Sequence, residues 1–70
     1  MDARAALEEI RELLQFFVWE HLPTGLQVVS EPCGKLAYAM SEMLPRNTET
    51  VMGLRKLLEA KDCFVRAALK

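Results

Sequence analysis

Lys61 is the residue of this chain whose position most clearly calls for a chemical partner. Apolar residues recur at helical spacing from Glu49 to Leu69, and at about 100° per residue Lys61 projects into the middle of that apolar face. Three roles are open to a cation in this position. Its stem lies on apolar surface while the ammonium reaches solvent, or it pairs with an acidic residue of another chain, or it anchors a phosphate.

Four charged residues form a second stripe on the same predicted helix: Arg55, Glu59, Asp62 and Arg66. The pairs Arg55–Glu59 and Asp62–Arg66 have i,i+4 spacing, and each such pair stabilises a helix by about 0.2–0.5 kcal/mol. The alternative is that one or both arginines contact a ligand or a neighbouring subunit.

Three aromatic side chains, Phe16, Trp19 and Tyr38, fall outside the apolar stripes of the predicted helices. They either cover gaps in a small core or a dimer seam, or form a stacking platform for a base beside phosphate-binding cations. His21 is either a turn residue or a further ligand contact. The candidate ligand-binding residues are Lys61, Arg55, Arg66, Trp19, Tyr38 and His21.

The residue combinations that usually carry catalysis or bind metal are missing from this sequence. Its one histidine is His21, and its two cysteines, Cys33 and Cys63, lie far apart, so neither a Cys/His pair nor a zinc site is indicated. There is also no glycine-rich phosphate loop. We therefore predict a protein that is not an enzyme and has no catalytic residue, metal site or cofactor.

Length, charge and hydropathy limit the class of protein further. The 70 residues are 51% apolar and 27% charged, which predicts one small globular domain over residues 1–70. A formal net charge of −1 argues against DNA or RNA as the main partner. No apolar run is long enough for a membrane span and no signal peptide is recognisable, so we expect a cytoplasmic protein with reduced thiols, although a Cys33–Cys63 disulfide is possible. So small a core has little stability alone, which predicts a homo-oligomer.

The apolar spacing predicts helices separated by proline, and it predicts no strand. The first helix is predicted over residues 1–20, from about Ala3 to Glu20, with Asp2 as its N-cap. Residues 21–30 form an ordered connection, because Pro23 disfavours helix at the residue before it.

Residues 31–69 are predicted to form a helical hairpin. Ser30 is the expected N-cap of its first helix and Pro45 ends that helix, while Asn47 or Thr48 caps the next one. A short turn between two helices makes them antiparallel. The predicted fold class is therefore all-α, with three helices, an antiparallel helical hairpin formed by the second and third, and an oligomeric assembly.

The last predicted helix also resembles part of a known family. Glu49 and the run Gly53-Leu-Arg-Lys-Leu-Leu-Glu-Ala60 are similar to the second helix of the hairpin domain in phage anti-CBASS and anti-Thoeris sponge proteins, a similarity that extends over residues 30–69. Members of that family are small all-α oligomers without enzymatic activity that sequester cyclic nucleotides or related bacterial immune signals. The resemblance implies a phage counter-defence sponge that binds a cyclic nucleotide in the host cytoplasm.

A second class of function is also compatible with the sequence. A small helical protein with exposed aromatic residues can be a protein–protein interaction module, for example an inhibitor of a host protein. Such a module is expected to have an apolar patch around Phe16 and Trp19 and to retain its partner at high salt.

Overall fold

The computed structural model describes residues 1–69 and is all-α with three α-helices, which confirms that part of the predicted fold class, while the oligomeric assembly stays a prediction. Its three α-helices are α1 (Ala3–Leu14), α2 (Thr24–Met43) and α3 (Thr48–Ala68), and a 3-10 turn at Gln15–Phe17 follows α1. Helices α2 and α3 pack along each other as the predicted antiparallel hairpin, and α1 lies against both. Within the described residues, no helix combines the length and the apolarity needed to cross a membrane.

Two of the predicted helix caps are confirmed. A side-chain oxygen of Asp2 accepts a hydrogen bond from the Ala5 N–H at 2.8 Å, and one of Asn47 accepts from the Thr50 N–H at 3.0 Å. Each bond satisfies a backbone donor that has no partner within the first turn of a helix. Asn47, and not Thr48, is thus the N-cap of α3.

The second helix begins earlier than the sequence indicated. We predicted an ordered connection over residues 21–30 with Ser30 as an N-cap, and both predictions are wrong, because α2 begins at Thr24 and continues through Pro32. A proline inside a helix removes one backbone hydrogen bond and is normally unfavourable. Ser30 and Gly34, one turn apart, are both buried along the inner face of α2. Tertiary packing of that face therefore outweighs the local preference for a break.

The start of α2 is held by Gln27. Its side-chain nitrogen donates to the carbonyl oxygens of Glu20 at 3.1 Å and of Leu22 at 2.7 Å. The Gln27 backbone N–H also donates to the Pro23 carbonyl at 3.0 Å. These bonds hold the connection against the first turn of α2. They stabilise the start of a helix that has no side-chain cap.

The first helix is shorter than the predicted segment over residues 1–20. Helix α1 ends at Leu14, and after the 3-10 turn Val18 is extended, with φ −68° and ψ 133°. The run Phe16–Trp19 contains only aromatic and β-branched residues, whose side chains lose rotamer freedom in a helix. Leaving the helix at this point allows the Phe17 side chain to be fully buried.

The core is small. Its buried hydrophobic residues are Ala6, Ile10, Phe17, Ala37, Val51 and Leu54. Phe17 is the largest fully buried side chain, and it comes from the 3-10 turn and not from an α-helix. The packing of the three helices thus depends on a residue just beyond the end of α1.

Gly34 allows the segment after α1 to approach α2 closely. A Cβ atom at this position would lie 2.5 Å from the Phe17 carbonyl oxygen and 2.5 Å from Cε3 of Trp19. Both distances are far shorter than real contacts of Cβ atoms, and one partner is backbone. The half-buried Trp19 ring therefore packs on the glycine surface of α2, where a larger residue does not fit.

We expect Gly34→Ala to lower the free energy of unfolding by about 1–3 kcal/mol, because the added methyl group overpacks the contact with Phe17 and Trp19. Gly25→Ala is the matched control, since a Cβ there meets nothing within 4 Å. That control is expected to be neutral or stabilising by up to about 1 kcal/mol, the difference in helix propensity between Gly and Ala. Urea unfolding followed by circular dichroism at one protein concentration measures both variants. Equal stability of the two variants would contradict the close contact.

Candidate functional site

Lys61 contacts three groups of its own chain. Its Nζ donates to the Phe16 carbonyl oxygen at 2.6 Å, lies 5.8 Å from the centroid of the Phe17 ring, and is 3.5 Å from an Asp62 carboxylate oxygen. The side chain is only 13% exposed. The last carbonyl groups of a helix lack a helical partner, and a lysine can satisfy one of them. Lys61 thus pairs with a backbone carbonyl of its own chain beyond α1. This partner differs from all three that the sequence indicated.

The charged stripe of α3 is not paired within the helix as predicted. Arg55 forms an ion pair with Glu9 of α1. The Arg66 guanidinium lies 3.3 Å from the Cys63 sulfur. Both predicted i,i+4 pairs are therefore wrong, and Arg55 joins α3 to α1 instead of stabilising α3 alone.

The other predicted ligand-binding residues lie in different surroundings. Trp19 packs on Gly34, and the Tyr38 hydroxyl donates a long hydrogen bond of 3.5 Å to the Leu14 carbonyl oxygen. His21 is exposed in the turn that follows Trp19. Ligand binding by these residues stays a prediction, and Tyr38 is the one that lines a cleft described below.

A cleft of about 490 Å³ lies between α1, the C-terminal half of α2 and the turn that precedes α3. We call it the polar cleft, and its polar lining residues are Arg11, Tyr38, Ser41, Glu42 and Arg46. Three leucines and one isoleucine form the rest of its wall. Its volume lies within the range of about 300–1,000 Å³ that is typical of small-molecule sites.

The two arginines of the polar cleft are available for an anion. Arg11 and Arg46 are exposed, and neither forms an ion pair with a carboxylate within residues 1–69. A guanidinium group binds phosphate oxygens through two parallel hydrogen bonds. Beside them, Tyr38 is 37% exposed and offers an aromatic surface. The cleft thus combines two cations, the carboxylate of Glu42, an aromatic ring and an apolar wall.

Sequence reasoning missed Arg11 and Arg46 as site residues. Arg11 lies on the exposed side of α1, and Arg46 lies in the short turn between α2 and α3. Nothing in their local spacing indicates that the hairpin brings both residues to one cleft.

A second cleft, of about 280 Å³, lies between α2 and α3. We call it the apolar groove, and its lining residues are Leu36, Met40, Leu44, Glu49, Thr50, Gly53, Leu54 and Leu57. Leu36 is 47% exposed and Leu44 is 44% exposed. A Cβ at Gly53 would meet nothing within 4 Å, so packing within the chain does not require a glycine here. This glycine nevertheless costs about 1 kcal/mol of helix stability relative to alanine.

Neither cleft is built to hold a metal ion. Among residues 1–69, no group of three or more His, Cys, Asp or Glu side chains is arranged to bind one. The two cysteines are free thiols, with Cys33 half-buried and Cys63 exposed.

Comparison with protein-family models, curated proteins and solved structures gave no match for this chain.

We expect Lys61→Met to lower the free energy of unfolding by about 1.5–3 kcal/mol, the usual contribution of a hydrogen bond to a charged group. Methionine keeps most of the apolar stem but leaves the Phe16 carbonyl without its donor. Lys56→Met is the matched control, because Lys56 is an exposed lysine of the same helix. Chemical denaturation of both variants measures the difference. If the two variants lose the same stability, the Lys61 contact does not hold the end of α1.

Proposed function

We propose that this chain is a non-enzymatic binding protein that captures an anionic nucleotide in the polar cleft. The observation that carries this proposal is the pair Arg11 and Arg46, two exposed guanidinium groups without a carboxylate partner in the described chain, beside the Tyr38 ring. Arginine recognises phosphate, and an aromatic ring provides a stacking surface for a base. Binding of this kind needs no acid, base or nucleophile.

We propose a cyclic oligonucleotide, or a related immune signal, as the ligand. Its phosphodiester groups are distributed around a ring, which suits cations that come from two different elements, α1 for Arg11 and the turn for Arg46. The resemblance of residues 30–69 to phage sponge proteins points to the same ligand chemistry. The protein would then act as a counter-defence sponge that withholds the signal from a sensor in the cytoplasm of the bacterial host.

Self-association is part of the proposal. Six buried hydrophobic residues make a small core, and small domains commonly gain stability by forming oligomers. In an oligomer, the exposed side chains of His21 and Arg66 can reach a ligand that is bound to a neighbouring subunit. Their role as ligand contacts stays a prediction.

The alternative function, a helical protein–protein interaction module or an inhibitor of a host protein, is favoured by the apolar groove. Amphipathic helices of partner proteins bind in grooves of this kind. The two functions require different surfaces, because a protein partner uses the exposed leucines of the groove and a nucleotide uses the arginines of the polar cleft. Variants in the two surfaces therefore separate the two functions.

We expect the purified protein to bind at least one member of a panel of cyclic dinucleotides, cyclic trinucleotides and ADP-ribose derivatives in isothermal titration calorimetry. Arg11→Ala and Arg46→Ala should each weaken that binding about tenfold or more, because a hydrogen bond to a charged group contributes about 1.5–3 kcal/mol. The affinity should also fall as the salt concentration rises, since both cations are exposed.

Arg4→Ala is the control for the loss of a positive charge, because Arg4 is an exposed arginine of α1 that does not line the polar cleft. This variant should bind as the wild type does. If Arg66→Ala weakens binding while Arg11→Ala does not, the ligand binds on α3 and not in the polar cleft. If no compound of the panel produces heat of binding, the nucleotide proposal fails.

A further inference from the structure

We infer that the apolar groove is covered by α2 and α3 of a second copy of this chain, with the two copies related by a two-fold axis that makes their hairpins antiparallel. This inference rests on the self-association included in the proposed function, and it assigns that self-association to a surface and an orientation. The surface it assigns is distinct from the nucleotide site, because among residues 1–69 the polar cleft and the apolar groove share only Leu44.

The apolar surface extends beyond the groove along both helices. At steps of three and four residues, Val29 and Cys33 continue the groove face of α2, and Ala60 and Phe64 continue that of α3. Phe64 is 55% exposed although it is one of the largest apolar side chains of the molecule. A continuous apolar face of this extent is unusual on a protein that stays monomeric.

The face is large enough for a stable dimer. A helix of about 20 residues is about 30 Å long, and two packed helices present a face about 20 Å wide. The projected area is then about 600 Å², and the accessible area of a ridged surface exceeds its projection. Specific interfaces bury about 800 Å² on each partner. A second hairpin of the same length covers this face from end to end.

Gly53 provides a separate argument for a close partner helix. Neither a turn nor a contact within the chain explains this glycine inside α3, because its φ is not positive and a Cβ would meet nothing within 4 Å. A glycine on an outer face lets another backbone or a large side chain approach closely. A large apolar side chain of the second copy fits into the depression above Gly53, as a ridge packs into a groove.

Charge determines the orientation of the two copies. Among residues 1–69, Glu49 is the only charged residue that lines the apolar groove, and it lies at the end nearest the hairpin turn. A parallel pair brings the two Glu49 carboxylates together, whereas an antiparallel pair places them at opposite ends of the seam. Like charges that face each other across an interface are unfavourable, so the antiparallel pair is preferred.

Sedimentation equilibrium of the full chain at several concentrations tests the assignment. The wild type should form a species of at least twice the chain mass of 8.0 kDa. Leu36→Lys should weaken self-association at least tenfold, since it places a charge at the centre of the seam. Leu36 is exposed enough that the monomer should still fold, which circular dichroism verifies. Val28→Lys is the matched control, because Val28 is 73% exposed on α2 and does not line the groove.

The outcomes of this experiment distinguish failure of the groove assignment from failure of the proposed function. A wild type that stays monomeric up to millimolar concentration overturns the inference together with the proposed self-association. An oligomer that Leu36→Lys leaves intact, or that Val28→Lys weakens equally, overturns the groove assignment alone. Nucleotide binding is measured on the same samples, so its failure is recognised separately.

A second variant tests the contact at Gly53 without adding a charge. Gly53→Leu fills the depression and should weaken self-association as Leu36→Lys does, while the helical circular dichroism signal is retained.

Orientation is tested with Glu49→Cys in a chain that also carries Cys33→Ser and Cys63→Ser. Rapid formation of a disulfide-linked dimer by this variant would overturn the antiparallel arrangement.

Discussion

The packing of this protein depends on how the first helix ends. The Lys61 ammonium of α3 donates to the Phe16 carbonyl oxygen and lies near the ring of Phe17, which is fully buried. The next segment reaches α2 at Gly34, where the Phe17 carbonyl and the Trp19 ring occupy the space of a side chain. One lysine and one glycine thus fix the same short segment from two helices. The burial of the largest core residue follows from this arrangement.

The packing of this segment also explains why Lys61 and Arg55, two cations that the sequence suggested as ligand contacts, form structural contacts within the chain. Lys61 projects into an apolar face because it reaches a backbone carbonyl, and Arg55 pairs with Glu9 because α1 packs alongside α3. Both contacts join α3 to the chain segment that precedes α2. Arg11 and Arg46 form no ion pair with a carboxylate within residues 1–69, and both line the polar cleft.

Local sequence signals predicted the elements of this fold better than their ends. Apolar spacing identified all three helices, and the caps at Asp2 and Asn47 are local hydrogen bonds that a short stretch of sequence specifies. The end of α1 and the continuation of α2 through Pro32 depend on packing between distant segments, which local preferences do not encode. The polar cleft was missed for the same reason, since its two arginines come together only when the hairpin forms.

The position of Leu44 links the two proposed binding events. This residue lines both the polar cleft and the apolar groove and is 44% exposed in the single chain. A second copy that covers the groove restricts the Leu44 side chain, so less conformational entropy is lost when a ligand enters the cleft. Binding linkage is reciprocal, and a bound nucleotide should therefore strengthen the dimer by the same factor. Sedimentation with and without a saturating cyclic nucleotide measures this factor, and an unchanged dissociation constant would show that the two surfaces act independently.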